Sequence, residues 1–331
     1  MQHNVNVSKH LEHIIFAVVK LAACAALLLA VQPLLRAQQT GNLDQQLFAA
    51  SGNRDLIAAE KIIRRGANLE ARATNGLTPL MSAAESGSVP LVSLLLENGA
   101  NAAAKDDQGE TALSWGARGG WVKLVNLLAR FSDTAAKNHA LMVAIEGGPV
   151  TIEISPSNMS PNLTNPPQDE SLEVEESWTA TVETLLDNGA DIEARDDDGD
   201  TPLLWAASFA QTDIFKLLLD RGAKIDVRDR QGNTPLIAAA CECAVATMNS
   251  AYAVMKILLE HGAAVNARNH DGRTALMMAS GMTGDASVLH LLLDNGADPR
   301  LKDHTGKTAL SIAKECRRED KIAILKTAAV Y

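Results

Sequence analysis

The residues that could do chemistry here are three cysteines, five histidines and a run of acids. Cys241, Cys243 and Cys316 would serve thiol redox chemistry or a metal. Cys241 and Cys243 stand two apart, too close for an easy disulfide, and on a helix they point to different faces. A metal site there needs ligands that the neighbouring sequence does not supply, so packing of a small buried residue is the stronger reading of Cys241. Cys316 lies far along the chain and reaches either thiol only if the fold curls back. His139, His261, His270, His290 and His304 are scattered, with no two at metal-binding spacing on one helix. There is no serine elbow, no glycine-rich phosphate loop and no isolated carboxylate pair. These patterns predict no catalytic residue, no cofactor and no metal.

The acids belong to a repeated element. From Leu185 to Ala207 the chain reads as the end of one helix, an acidic turn and the start of another. Gly189 suits the left-handed residue just past a helix C-terminus and Asp198-Gly199 suits a tight turn. Thr201-Pro202 supplies a capping hydroxyl followed by proline at the first helical position. Gly-Ala pairs recur at 66, 99, 189, 222, 262 and 296. Helix starts of the form Thr-Pro/Ala-Leu recur at Thr78, Thr111, Thr201, Thr234, Thr274 and Thr308, at intervals of 33, 90, 33, 40 and 34 residues. A unit this short cannot bury its own apolar face, whereas stacked copies can. Apolar content of 47% with only 3% aromatic fits helices packed through Ala, Leu, Ile and Val.

This period, with its Thr-Pro-Leu, Ala-Ala, Leu-Leu and Gly-Ala-Asx signature, resembles the ankyrin repeat over roughly residues 41–331. The resemblance implies an all-α solenoid of about eight helix-turn-helix repeats with hairpin fingers. Repeats fall near 43–75, 76–108, 109–134, 135–198, 199–231, 232–270, 271–304 and 305–331. The first is degenerate, as a cap must be. The third ends in Arg130-Phe131-Ser132 instead of Gly-Ala. The fourth is expected to begin its first helix at Asn138 and to resume its second near Trp178. Between them residues 147–177 form an insert with prolines 149, 156, 161, 166 and 167 and the acidic run 169–176, a composition that predicts a projecting loop. Repeat six carries seven extra residues around Cys241 to Ala253. In the last repeat, Lys314, Arg317, Arg318, Lys321 and Lys326 are expected to cover the solvated end of the stack. The family usually places histidine directly after Thr-Pro-Leu, where it ties neighbouring hairpins. Here that position holds Met81, Ser114, Met142, Leu204, Ile237, Met277 and Ser311, so the tie must be made otherwise.

Residues 1–37 lie outside the repeat. Lys9 and Lys20 precede the apolar run Leu21 to Val31, and Leu35-Arg36-Ala37 leads into polar Gln38-Gln39. This pattern predicts a signal peptide cleaved after Ala37, hence export to the periplasm or outside. An uncleaved anchor over residues 14–35 is the alternative, and a lipoprotein box at Cys24 ranks below both because residues 25–31 stay apolar. The chain's formal charge is −10. Removing 1–37 takes away Lys9, Lys20 and Arg36 against Glu12, leaving about −12. Such a surface repels phosphate backbones, so nucleic acid is a poor partner.

What remains is recognition of a protein. Trp115 and Trp205 share one repeat position and are expected towards the concave face, with partial burial between first helices the competing reading. Trp121 and Trp178 share another and read as packing. By the resemblance, partners are gripped by finger tips and first helices, and the matching positions include Asp107, Gln108, Glu110, Arg118, Asp198, Asp200, Phe209, Arg230, Asn233, Asp271, Arg273 and Lys307. Trp115, Trp205, Arg118, Asp198, Asp200, Phe209, Asn233 and Arg273 are the candidate binding residues, and the acidic centre predicts a partner with a basic surface. A tethered, structural envelope protein is the rival, with a thiol- or metal-dependent enzyme behind it.

Overall fold

In a computed structural model the described residues are 42–147, 177–241, 248–283 and 286–328. The expected signal segment, most of the 147–177 insert and Cys243 therefore lie outside them. The described residues form sixteen helices and no strand. They are α1 (42–52), α2 (Leu56–Arg64), α3 (Pro79–Glu85), α4 (Val89–Glu97), α5 (Ala112–Arg118), α6 (Val122–Ala129), α7 (Thr134–Glu146) and α8 (Trp178–Asp187). There follow α9 (Pro202–Ser208), α10 (Thr212–Asp220), α11 (Pro235–Cys241), α12 (Met248–Glu260), α13 (Ala275–Gly281), α14 (Ser287–Asp294), α15 (Ala309–Glu315) and α16 (Glu319–Ala328).

Most of the odd-numbered helices are two turns long, too short to persist alone in water, so their stability comes from their neighbours. From α3 onward each odd helix packs on the next odd one, α3 on α5 through α13 on α15, and from α2 each even helix packs likewise on the next even one. From α3 onward the odd helix of each repeat also packs on the even helix that follows it. An odd helix is thus covered on three sides, and α9 buries Pro202, Leu203, Leu204, Ala206 and Ala207 of its seven residues. An even helix shows one face inward, as α4 does with Leu91, Val92 and Leu95. The alanines let neighbouring axes approach closely, and Phe215, fully enclosed, is the bulkiest of the buried side chains. Because α6 meets α8 and α7 meets α9, the stack continues past the insert.

The start signals act as expected. Thr78, Thr111, Thr201, Thr234, Thr274 and Thr308 each accept from the backbone N–H three residues on. Gly189 takes φ +88° past α8. At the finger tip, Gly199 sits at φ +82°, and a Cβ there would come within 3.1 Å of the Arg230 backbone nitrogen, so neighbouring fingers touch through glycine.

Two expectations need correction. First, α7 starts at Thr134, not Asn138. Arg130 closes α6 in right-handed geometry and Asp133 caps α7 by accepting from Ala136 N at 2.7 Å, so the chain turns straight into a helix where other repeats make a finger. Second, Lys321 is not a solvated end charge. It is only 3% exposed, and its Nζ donates to the carbonyls of Ala279 at 2.7 Å and Met282 at 3.0 Å, which the end of α13 leaves without helical partners.

Candidate functional site

Six fingers project from the starts of the odd helices among the described residues. Each is closed by one backbone hydrogen bond, from Ala73 to Leu77, Asp106 to Glu110, Asp196 to Asp200, Asp229 to Asn233, Asn269 to Arg273 and Asp303 to Lys307. The side chain that opens the turn also organises it. Asp196 Oδ1 accepts from the N–H of Asp198 at 2.9 Å and of Asp200 at 2.8 Å, and Asp106, Asn269 and Asp303 do the same in their own fingers. These are Asx turns, which explains the recurrence of Asp and Asn there.

The missing histidines are replaced by arginines. Arg228 Nη1 donates to Gly232 O in its own finger at 2.6 Å and to Arg268 O in the next at 2.9 Å. Arg72, Arg195 and Arg268 bridge in the same way to the carbonyls of Lys105, Arg228 and Lys302. All four stand six residues before a capping threonine, a recurrence visible in the sequence that family resemblance did not flag. Backbone bonds join the tips as well: Arg230 N to Asp198 O at 3.0 Å, His270 N to Gln231 O at 2.9 Å and His304 N to Asp271 O at 2.9 Å.

The candidate binding residues fall into two groups on either side of α7. On α5, Trp115 is half-buried; its Nε1 donates to Asp106 Oδ2 at 3.0 Å and the Arg118 guanidinium lies 5.7 Å from its ring centre. Arg118 also pairs with Glu110 at 3.0 Å, and His139 of α7 holds the other Glu110 oxygen at 3.0 Å. Burial opposes charge on Glu110, but hydrogen bonds from His139 and Ser114 and the nearby positive charges prevail, holding its carboxyl at about 2. The Glu110 bond in turn raises His139 above its ordinary value. His139 was not singled out as a partner of Glu110, because the two are 29 residues apart.

The second group is contiguous. Trp205 is half-buried, its Nε1 donates to Asp196 Oδ2 at 2.6 Å, and its ring stacks on Phe209 with centroids 5.3 Å apart. Both tryptophans are thus half-buried, each donating its ring N–H to the aspartate that opens its own finger. Phe209, at the far end of α9, is 36% exposed, and Asp198, in the finger of the same repeat, is exposed as well. Asp200 is half-buried; burial first, then Asp196, Asp229 and Asp198, push its carboxyl up to about 6. Next in line, Asn233 donates to Asp229 Oδ2 at 2.7 Å and accepts from Asn269 at 2.9 Å. Arg273 Nε faces Asp303 Oδ2 at 3.7 Å. Trp115 and Arg118 are not brought to this group, since α7 stands between α5 and α9.

Trp121 and Trp178 pack on the core as expected, Trp178 Nε1 donating to Arg118 O at 3.2 Å. Cys241 is half-buried at the end of α11 and packs on the core, while Cys316 is exposed beyond α15. Among the described residues no three His, Cys, Asp or Glu side chains gather as metal ligands, and no helix is long and apolar enough to cross a membrane.

Comparison with known families agrees with this architecture. A model of ankyrin repeats in three copies matches residues 46–139 and 174–248, one of many copies matches 258–313, and a single ankyrin repeat matches 231–270. No curated protein matches the chain.

Proposed function

Since the chain belongs to the ankyrin-repeat family, whose repeats mark a protein-protein interaction module, we propose that it is a non-catalytic, exported module that grips a partner protein with its fingers and odd-numbered helices. The observation that carries the reading is the Trp205–Phe209 stack, 5.3 Å between centroids, beside the acids Asp196 to Asp200. An exposed aromatic edge in the repeat that also exposes Asp197 and Asp198 suits a basic partner, whose arginine or lysine stems can lie on the ring while their charges meet the acids. The partner is thus a protein with a basic surface, and phosphate polymers are disfavoured by the chain's charge of −10.

Export rests on the composition of residues 1–37. The recovered exported chain should begin at Gln38; a full-length, membrane-bound chain would favour tethering by residues 14–35 and the organising role. The binding reading is tested by crosslinking capture from the host envelope with the parent chain and the Asp198→Lys/Phe209→Ala variant. Ile57→Ala, on the exposed face of α2 in the other layer, serves as control. A partner held by the parent and control, lost by the variant and released by salt supports the reading; identical capture by all three overturns it.

A further inference from the structure

The four fingers beyond α7 differ systematically in charge. Finger 193–200 holds Glu193, Asp196, Asp197, Asp198 and Asp200 against Arg195, a net −4. Finger 226–233 balances Asp226 and Asp229 with Arg228 and Arg230. Finger 266–273 carries Arg268 and Arg273 against Asp271, a net +1, and finger 300–307 carries Arg300, Lys302 and Lys307 against Asp303, a net +2. The residue before each capping threonine repeats the trend, passing from Asp200 through Asn233 to Arg273 and Lys307. At the positive end Asp298 pairs with Arg300 at 3.0 Å and Glu315 with Lys307 at 2.7 Å, leaving Lys302 exposed and without such a pair among the described residues. Among the described residues the acids of finger 193–200 form no ion pair, and around Asp200 the charges of Asp196, Asp229 and Asp198 outweigh that of Arg195.

This order is fixed in space. Three backbone bonds between tips and the guanidinium bridges of Arg195, Arg228 and Arg268 lock the four fingers into one row. The aromatic pair Trp205–Phe209 stands only at the acidic end. Resting on the protein-binding reading above, we propose that this row docks one extended protein segment of ordered charge, its basic end over finger 193–200 and Phe209 and its acidic end over finger 300–307. Helices packed at 8–10 Å set three finger spacings at about 25–30 Å, which an extended chain covers in about eight or nine residues. A segment laid the other way sets like charge on like at both ends, so the row selects orientation as well as composition.

The test uses the full chain and a fluorescent twelve-residue peptide with a lysine/arginine block, a Gly-Ser spacer and a glutamate block, beside a peptide of identical composition with alternating charges. Anisotropy at low salt should show the block peptide binding at least tenfold tighter. A photocrosslinker in its basic block should label residues within 193–209. Asp197→Asn/Asp198→Asn should weaken the block peptide several-fold and Lys302→Glu should do so too, with helical circular dichroism unchanged in both. Equal binding of the two peptides, binding of neither, or labelling spread over both ends of the row overturns the charge order. Those outcomes leave the capture experiment above untouched, so failure of the order and failure of the protein-binding reading are read separately.

Discussion

Glu110→Gln removes one negative charge and little else, which makes its effect calculable. The side chain is 11% exposed and lies between Arg118 and His139, each at 3.0 Å. Its carboxyl sits at about 2 instead of 4.5, and at about 1.4 kcal/mol per unit that gap caps its pH-dependent contribution at roughly 3.5 kcal/mol. The Arg118 and His139 side chains are 43% and 50% exposed, so solvent screening brings the expected loss to about 1–2 kcal/mol. The pH dependence has two edges. A carboxylate with a depressed value stabilises fully above its unfolded value of 4.5 and loses that contribution as pH falls towards about 2. His139, raised above 6.5, contributes fully below 6.5 and loses its share as pH climbs through its raised value. The variant should therefore be most destabilised between 4.5 and 6.5, with the gap narrowing on both sides. Urea unfolding followed by tryptophan fluorescence at about pH 3, 5.5 and 9 measures this, Trp115 being the nearby reporter. A gap independent of pH, or none at about pH 5.5, refutes the reasoning.

The opposite sign is expected at Asp200. Its value is raised from 3.8 to about 6, so folding is penalised by its charge as pH rises through that window. Asp200→Asn should raise stability above pH 6 by up to about 1 kcal/mol after screening, with the gain vanishing near pH 4; a loss at pH 8 would contradict it. Arg228→Lys should cost about 1–2 kcal/mol, because a shorter, freely rotating ammonium replaces the rigid guanidinium whose Nη1 donates to the carbonyls of both Gly232 and Arg268. Hydrogen exchange should then quicken at the His270 amide, which bonds Gln231 across the same gap; unchanged exchange would show that the backbone bonds alone hold the row.

The repeat frame was legible because its signals are local. Thr201 caps within three residues, Gly189 bends within one, and the apolar spacing of α4 marks its inner face without reference to anything distant. Even the missing finger before α7 left a trace, since Asp133 followed by Thr-Ala-Ala-Lys is a cap leading into good helix formers with no turn residue between. The charged and aromatic groups were not readable in that way. The same lysine that composition assigns to solvent becomes, at Lys321, the donor to α13 carbonyls about 40 residues away. Trp115 and Trp205 look like free anchors until their fingers fold back to take their N–H groups.

Sequence by itself thus determined the kind of element, its period and its caps, since each depends on residues within one or two helical turns. Only the tertiary structure decided which arginine ties which finger, which glutamate meets which histidine, and that Asp200 shares its surroundings with Asp229. Those pairings join residues of neighbouring repeats, about 30 positions apart in the chain, and stacking alone brings them within reach of a hydrogen bond or of each other's charge.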